Sequence, residues 1–477
     1  MQDKEHSLDQ NAQEEHGATS KLNPLTSFII IGVALLASAA LSFFIIQAGY
    51  DSKIGWTAGI TLFTAVLWVT EALPIPVASL IPFFAFPFAG VLSHKEAASS
   101  LGSHVILLLM GGFMLSKGLE KSGVHRRFAL YMIKITGGRS ATRLVLAFML
   151  TSALLSMWIS NTATTLMLMP IALAILQPDT DKRVTVALLL GIAFAANIGG
   201  VGTPIGTPPN IIFMSVYQEH TGNEIAFLDW MKTGVPIVFL SIPIMAFWLT
   251  RGLGQIGRFQ LPSVDAWQTQ EKRVLWVFAV VAIAWMTRPF WTQALQLTTV
   301  GDSTIALAGV VAMFLVRSGK GDERLLDWRT ANDIPWGMLL LFAGGICVAK
   351  AFTASGLSQE IGHFLAGLNA LPLFLLIFTL CVFVTFLTEI TSNTATATLL
   401  MPILALTGTS MGVEPALLMI PAAISASCAF MLPVATAPNA IVYATNKFTI
   451  RTMAKEGVVL NIFIACIVSG VAYISLG

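Results

Sequence analysis

The chain has 477 residues, of which 55% are hydrophobic and 11% charged, with a formal net charge of +2. A soluble globular domain carries about 25% charged residues, so this composition excludes one and describes an integral membrane protein. No nucleic-acid partner is expected.

The first 23 residues are acidic and polar and read as a disordered cytoplasmic tail; a signal peptide would carry a basic n-region. Apolar runs suited to crossing a bilayer follow at 24–46, 54–73, 75–92 and 105–119. The next run, 144–178, is interrupted by Ser160-Asn161-Thr162, and the run 184–218 is broken by the segment Thr203-Pro204-Ile205-Gly206-Thr207-Pro208-Pro209-Asn210. Runs at 234–250, 274–286, 304–316 and 337–352 lead to a second interrupted run, 371–406, holding Ser392-Asn393-Thr394. A second broken run, 415–446, holds Leu432-Pro433-Val434-Ala435-Thr436-Ala437-Pro438-Asn439, and 458–476 closes the chain. The four cysteines lie in apolar runs without metal-like spacing and read as buried small hydrophobes.

These motifs form a repeat. Both triplets are followed by Ala-Thr and then by Met-Pro-Ile, at Pro170 and Pro402. Gly111-Gly112 matches Gly344-Gly345, and Trp68-Val69-Thr70 matches Trp285-Met286-Thr287. The first repeat spans 24–251, with a hairpin at 140–178 and a broken helix at 184–218. A cytoplasmic linker covers 252–272, and the second repeat spans 273–477, with a hairpin at 368–410 and a broken helix at 415–447.

Most of the 27 basic residues fall in alternate connecting segments, leaving only Lys53, Lys95, Lys232, Arg288 and Lys350 on the other side. The positive-inside rule therefore predicts a cytoplasmic N-terminus and an extracytoplasmic C-terminus. Arg143 and Lys182 flank both ends of the first interrupted run, so it enters and leaves on the cytoplasmic side as a re-entrant hairpin. The second hairpin enters from outside, the relation an inverted repeat produces.

Asn and Thr at membrane depth are costly unless they find partners, so a duplicated polar cluster reads as a binding site. Proline removes an amide donor, so a helix cannot run through either Pro/Gly cluster. The breaks free carbonyls for a cation and helix N-termini for an anion. The competing reading is a pair of kinks without function, which the duplication disfavours. Segments 144–178, 184–218 and 415–446 contain no Asp, Glu, Lys or Arg, and 364–413 contains only Glu389. Such a site can donate to an anion but cannot neutralise it, so a dianionic substrate would need bound cations. Oxygen ligands at broken helices suit Na⁺.

The two Ser-Asn-Thr tips and the stretch from Ala426 to Val442 together resemble the divalent anion:sodium symporter family, the INDY-type dicarboxylate transporters. The resemblance covers nearly everything after the tail. It implies an all-α polytopic membrane protein with about eleven transmembrane helices, two opposed re-entrant hairpins and an inverted two-fold repeat. It also implies a scaffold domain and an elevator-like transport domain in a homodimer of the plasma membrane, the bacterial inner membrane being expected. By motif, Asn161, Thr162, Asn393 and Thr394 would contact substrate carboxylates, with Thr207, Thr436 and Ala437 nearby. One Na⁺ site would use Ser156, Ser160, Asn161 and Gly206; the other would use Thr388, Thr391, Asn393 and Ala435. Ala437 departs from the proline common at that position, which bears on substrate choice.

The expected activity is Na⁺-coupled uptake of C4-dicarboxylates such as succinate, malate or fumarate. A Na⁺-independent dicarboxylate exchanger remains open but should carry Lys, Arg or His at the cation positions, and none is found. A Na⁺/sulfate or Na⁺/citrate symporter of the same fold also remains open. An intramembrane enzyme would need a nucleophile–base pair or an acid dyad, and Glu389 lacks such a partner. Glu389, whose repeat mate is Met157, is open between proton sensing, shaping a cation site and a structural role at a domain boundary; the structural role is favoured.

Overall fold

The computed structural model describes residues 23–131 except 126 and 129, and residues 140–176, 181–253, 266–297, 299–360 and 372–476. The expected tail, most of the linker and the start of the second hairpin lie outside them.

The named elements are helices. The first half comprises α1 (Pro24–Gln47), α2 (Ser52–Thr70), α3 (His104–Ser122), α4 (Ala141–Ser156), α5 (Asn161–Ile175), α6 (Lys182–Gly199), α7 (Pro208–Thr221) and α8 (Phe227–Thr250). The second comprises α9 (Thr269–Ala294), α10 (Asp302–Leu315), α11 (Trp336–Ser355), α12 (Leu373–Thr388), α13 (Asn393–Ser410), α14 (Ala416–Ala426), α15 (Ala437–Tyr443) and α16 (Ile450–Leu476). Among the described residues, 8 helices are long and apolar enough to cross a membrane. One expected span differs: 75–92 is two short helices, Ile75–Ala78 and Ile81–Phe88, because Pro76 and Pro82 each start a new helix. Cys347, Cys381 and Cys428 are buried free thiols as expected, whereas Cys466 is exposed.

The interrupted runs fold as helix pairs, α4–α5 and α12–α13. At 1.5 Å per residue, the 16 residues of α4 and the 15 of α5 fall short of a bilayer crossing, so their shared tip stops within the apolar depth. Each tip ends where the serine of its triplet takes the N-cap position, and the asparagine becomes the first helical residue. The broken runs fold as α6 and α7, joined through a 3₁₀ turn at Gly200–Gly202, and as α14 and α15, joined through one at Pro433–Ala435. Each hairpin packs against the other half's broken helix, α5 on α15 and α13 on α7, so the two halves interlock at their breaks.

The matched tryptophans hold equivalent places. Trp68 donates its indole N–H to Ser79 Oγ at 3.0 Å, and Trp285 donates to the Asp302 carbonyl at 2.9 Å. The matched glycine pairs explain themselves by close approach. Gly111 abuts Ala306 and Gly344 abuts the Ser79 carbonyl, whereas Gly112 faces Ile205 and Gly345 faces Thr398. One glycine of each pair thus packs within the wall formed by α3 and α11, and the other meets the hairpin and broken-helix unit. Helices in lipid associate through such small-residue contacts, because apolar surface alone gives no drive there.

Candidate functional site

The site forms where the two tips meet the two breaks. In the first half, Ser156 at the end of α4 donates its hydroxyl to Asn161 Oδ1 across the tip. Gly200 lies beside them: a Cβ there would fall 2.8 Å from the Gly206 carbonyl oxygen and 2.9 Å from Asn161 Oδ1. The missing side chain therefore lets a carbonyl, an amide oxygen and a hydroxyl converge. Ser160 Oγ accepts from the Ala163 amide at 3.1 Å, so its hydroxyl oxygen caps α5.

The second half repeats this cradle. Thr388 Oγ1 lies 2.6 Å from Asn393 Oδ1 and 2.9 Å from the Ala426 carbonyl oxygen. Three oxygens share one hydroxyl proton, an acceptor-rich set that suits a hard cation. The Thr391 hydroxyl is not part of it; it bonds the Leu387 carbonyl at 2.8 Å and meets Thr396 Oγ1 at 2.7 Å. Ala435 ends the 3₁₀ turn of the second break.

Thr162 and Thr394 follow their asparagines in the first turns of α5 and α13. Thr207 and Thr436 occupy the N-caps of α7 and α15, so two helix N-termini converge on the same region. Thr436 Oγ1 accepts from the Asn439 amide at 3.3 Å, and Thr207 Oγ1 reaches across the repeat to Ser427 Oγ at 3.3 Å. Ala437, the first residue of α15, is exposed.

Other residues organise the site without having been singled out as binding residues. Asn210 Nδ2 donates to the Gly200 and Thr203 carbonyls at 3.0 and 2.7 Å, and Asn439 Nδ2 does the same for Ala429 and Leu432 at 3.0 and 3.1 Å. Each asparagine replaces backbone bonds lost at its break. Asn197, in the last turn of buried α6, points Nδ2 at Thr436 Oγ1, 3.1 Å away, and at Asn439 Oδ1 and the Ala429 carbonyl, each 3.3 Å away. A lone amide in the apolar stretch 186–202 was the available signal for it. Asn197 therefore ties the first broken helix directly to the second.

Crossed hairpins, paired helix breaks and two oxygen cradles define a helical membrane carrier built from two related halves. Residues 65–418 match the family described as citrate transporter (CitMHS), and the chain belongs to that family. It is 40% identical over 439 residues to the sodium-dependent dicarboxylate transporter SdcS of Staphylococcus saprophyticus, covering 87% of this chain and 84% of the relative. It is 36% identical over 487 residues to the protein of the same name from Staphylococcus aureus, covering 95% of this chain and 92% of that one. Among solved structures, the YdaH transporter of Alcanivorax borkumensis shares the fold at a TM-score of 0.54 and 15% identity, over 80% of this chain and 87% of that one.

Proposed function

We propose that the protein is a Na⁺-coupled symporter of C4-dicarboxylates, in which the two cradles bind Na⁺ and the triplet side chains bind the substrate carboxylates. The observation that carries this reading is a pair of oxygen-rich cradles in segments 144–178, 184–218, 364–413 and 415–446, which contain no Lys, Arg or His. A dianion there is neutralised most simply by the ions that enter with it. The names of the relatives support sodium and a dicarboxylate over the citrate in the family's description. Ser156, Asn161 and the Gly206 carbonyl form the first Na⁺ site, with Ser160 beside them; Thr388, Asn393 and the Ala426 carbonyl form the second, with Thr391 and Ala435 beside them. Asn161, Thr162, Asn393 and Thr394 hold the carboxylates, and Thr207, Thr436 and Ala437 line the pocket. Bringing a dianion into a negative interior costs about 2.3 kcal/mol per charge per 100 mV, so more than two Na⁺ per substrate make uptake electrically favourable.

The protein works as a homodimer with its N-terminus in the cytoplasm. The unit of hairpins and broken helices slides along the α3 and α11 wall, and the two halves exchange contacts as it does so. Repeat symmetry supports this, because Ile205 and Thr398 are buried against wall glycines while their repeat mates, Val434 and Leu166, are exposed.

Succinate uptake into proteoliposomes, with and without an inward Na⁺ gradient, tests the reading. Uptake is expected only with Na⁺, to be competed by malate and fumarate rather than by sulfate or citrate, and to be lost in both Asn161→Ala and Asn393→Ala. Counter-substrate-dependent uptake undiminished without Na⁺ would replace the symporter with an exchanger.

A further inference from the structure

Glu389 is the only acidic residue in segment 364–413, and it is buried at the tip of the second hairpin. Among the described residues no lysine, arginine or histidine forms an ion pair with it. Instead its carboxylate collects N–H donors. Oε1 accepts from the Phe430 amide at 2.7 Å, the Met431 amide at 2.9 Å and Asn461 Nδ2 at 2.8 Å, and Oε2 accepts from the Leu432 amide at 3.0 Å. Three consecutive backbone amides turned toward one anion form a nest, held here by a side chain of the same protein. These partners are N–H donors, three of them fixed backbone amides, a set that favours the ionised carboxylate.

The first half needs no such anion. Its equivalent residue, Met157, lies over Gly202, where a Cβ would fall 2.6 Å from Met157 Cε. There α6 runs straight into the Gly200–Gly202 turn, and Thr203 Oγ1 donates to the Met157 carbonyl at 2.5 Å. In the second half the 3₁₀ turn begins only at Pro433, so residues 428–430 are irregular and the amides of 430–432 turn to Glu389. The carboxylate does for the second break what a helical turn does for the first.

Its position gives that role a consequence. Glu389 directly follows Thr388, whose hydroxyl joins Asn393 Oδ1 and the Ala426 carbonyl in the second cradle. The amides it grips lie a few residues after Ala426, and Asn439 holds the Ala429 and Leu432 carbonyls on either side of them. We infer that Glu389 is a positioning residue for the second Na⁺ cradle: by clamping the broken segment to the hairpin tip, it fixes the spacing of the cradle oxygens and places a fixed negative charge beside the ion. Its oxygens accept four N–H bonds, so the role assigned to it is to hold the segment behind the cradle rather than to supply a cradle oxygen. The inference rests on the symport reading above.

Na⁺ titration of succinate uptake in proteoliposomes tests it, with wild type, Glu389→Gln, Glu389→Asp and Asn461→Leu compared at saturating succinate. Loss of a partner behind a metal ligand typically weakens ion affinity about 10–100-fold, so Glu389→Gln is expected to raise the half-saturating Na⁺ concentration at least tenfold. Its Na⁺ dependence should also become less steep, while the succinate KM at saturating Na⁺ stays near wild type. Glu389→Asp should recover part of the shift, and Asn461→Leu, which removes one donor of four, should move it a few-fold in the same direction. If Glu389→Gln does not fold, the Asn461→Leu shift decides alone. Wild-type Na⁺ dependence in the folded variants, or a lower maximal rate with unchanged half-saturating Na⁺, would overturn the proposal. Wild-type uptake that ignores Na⁺ would instead overturn the symport reading, so the two failures are distinguishable.

Discussion

The first and second halves carry the same motifs in different surroundings. Trp158, at the first hairpin tip, meets Phe278 of α9 edge-on with ring centroids 5.1 Å apart, and Ile205 in the first break is 9% exposed beneath Gly112. Their repeat mates Ile390 and Val434 are 75% and 84% exposed. On the hairpin helices the relation reverses: Thr398 is 3% exposed beneath Gly345, whereas its mate Leu166 is 48% exposed. Near-symmetric sequence has therefore folded into an asymmetric arrangement, with each half holding a contact that the other lacks. Exchanging those contacts turns one arrangement into its mirror relation across the membrane, which is how inverted repeats give alternating access.

The strongest way to break this comparison is to trap it. The matched tryptophans make Thr61 of α2 the mate of Phe278, and Thr61 lines an apolar cavity of about 400 Å³ beside Trp68, Thr398 and Pro402. The proposed exchange would bring Ile390 to Thr61 as Trp158 leaves Phe278. In a background with Cys466 replaced, a Trp158→Cys/Phe278→Cys pair should cross-link in one state and an Ile390→Cys/Thr61→Cys pair in the other. Either link should abolish uptake until it is reduced. Saturating Na⁺ with succinate should change the two cross-linking rates in opposite directions. Both links closing in one molecule would show that the halves do not exchange.

A smaller effect is expected at the wall glycines. A Cβ at Gly345 would lie 2.7 Å from Thr398 Cγ2, and one at Gly112 would lie 3.1 Å from Ile205 Cγ2. Overpacking costs roughly 1–3 kcal/mol, and the tighter contact should sit toward the upper end. Gly345→Ala should therefore slow uptake about tenfold or more, at about 1.4 kcal/mol per tenfold, and Gly112→Ala only a few-fold. Thr398→Ser removes the clashing methyl while keeping the hydroxyl that bonds the Thr394 carbonyl at 2.8 Å, so it should rescue Gly345→Ala. Additive effects in the double variant would mean that the two residues do not meet during transport.

The sequence displayed what repeats and what breaks. Paired triplets marked the tips, prolines marked the breaks, and missing charges marked the need for a cation. It hid whatever the backbone supplies. The Gly206 and Ala426 carbonyls have no side-chain signature, and Gly200 matters because its absent Cβ leaves room for the Gly206 carbonyl and Asn161 Oδ1. Glu389 was visible, but its partners are amides released only because the second break lacks the turn found in the first. Thr391 was assigned to a cradle by motif, and its hydroxyl is committed elsewhere, to Leu387 and Thr396. Periodicity and motif therefore located the hairpin tips and the helix breaks, while the oxygens of the proposed cradles depended on local turns that the motif does not encode.

The smallest effect is expected where the comparison predicts no movement. Lys117 bonds Asp333 at 2.8 Å and Lys121 bonds Asp327 at 2.5 Å, joining α3 of the first half to the Trp328–Asn332 helix of the second, within the wall. The Lys121 ammonium, followed by the Thr330 amide, holds the Asp327 carboxyl down to about 2. Its contribution to stability is therefore complete above the ordinary carboxylate value and is lost as pH falls through about 2. Asp327 is half exposed, so solvent screening keeps that contribution below about 1 kcal/mol. Asp327→Asn should lower the thermal unfolding midpoint slightly at neutral pH and leave the kinetics and Na⁺ dependence of uptake unchanged. If uptake slowed while the midpoint held, the contact would be opening and closing during the cycle. The boundary between wall and moving unit would then run through α3 rather than along its glycine face.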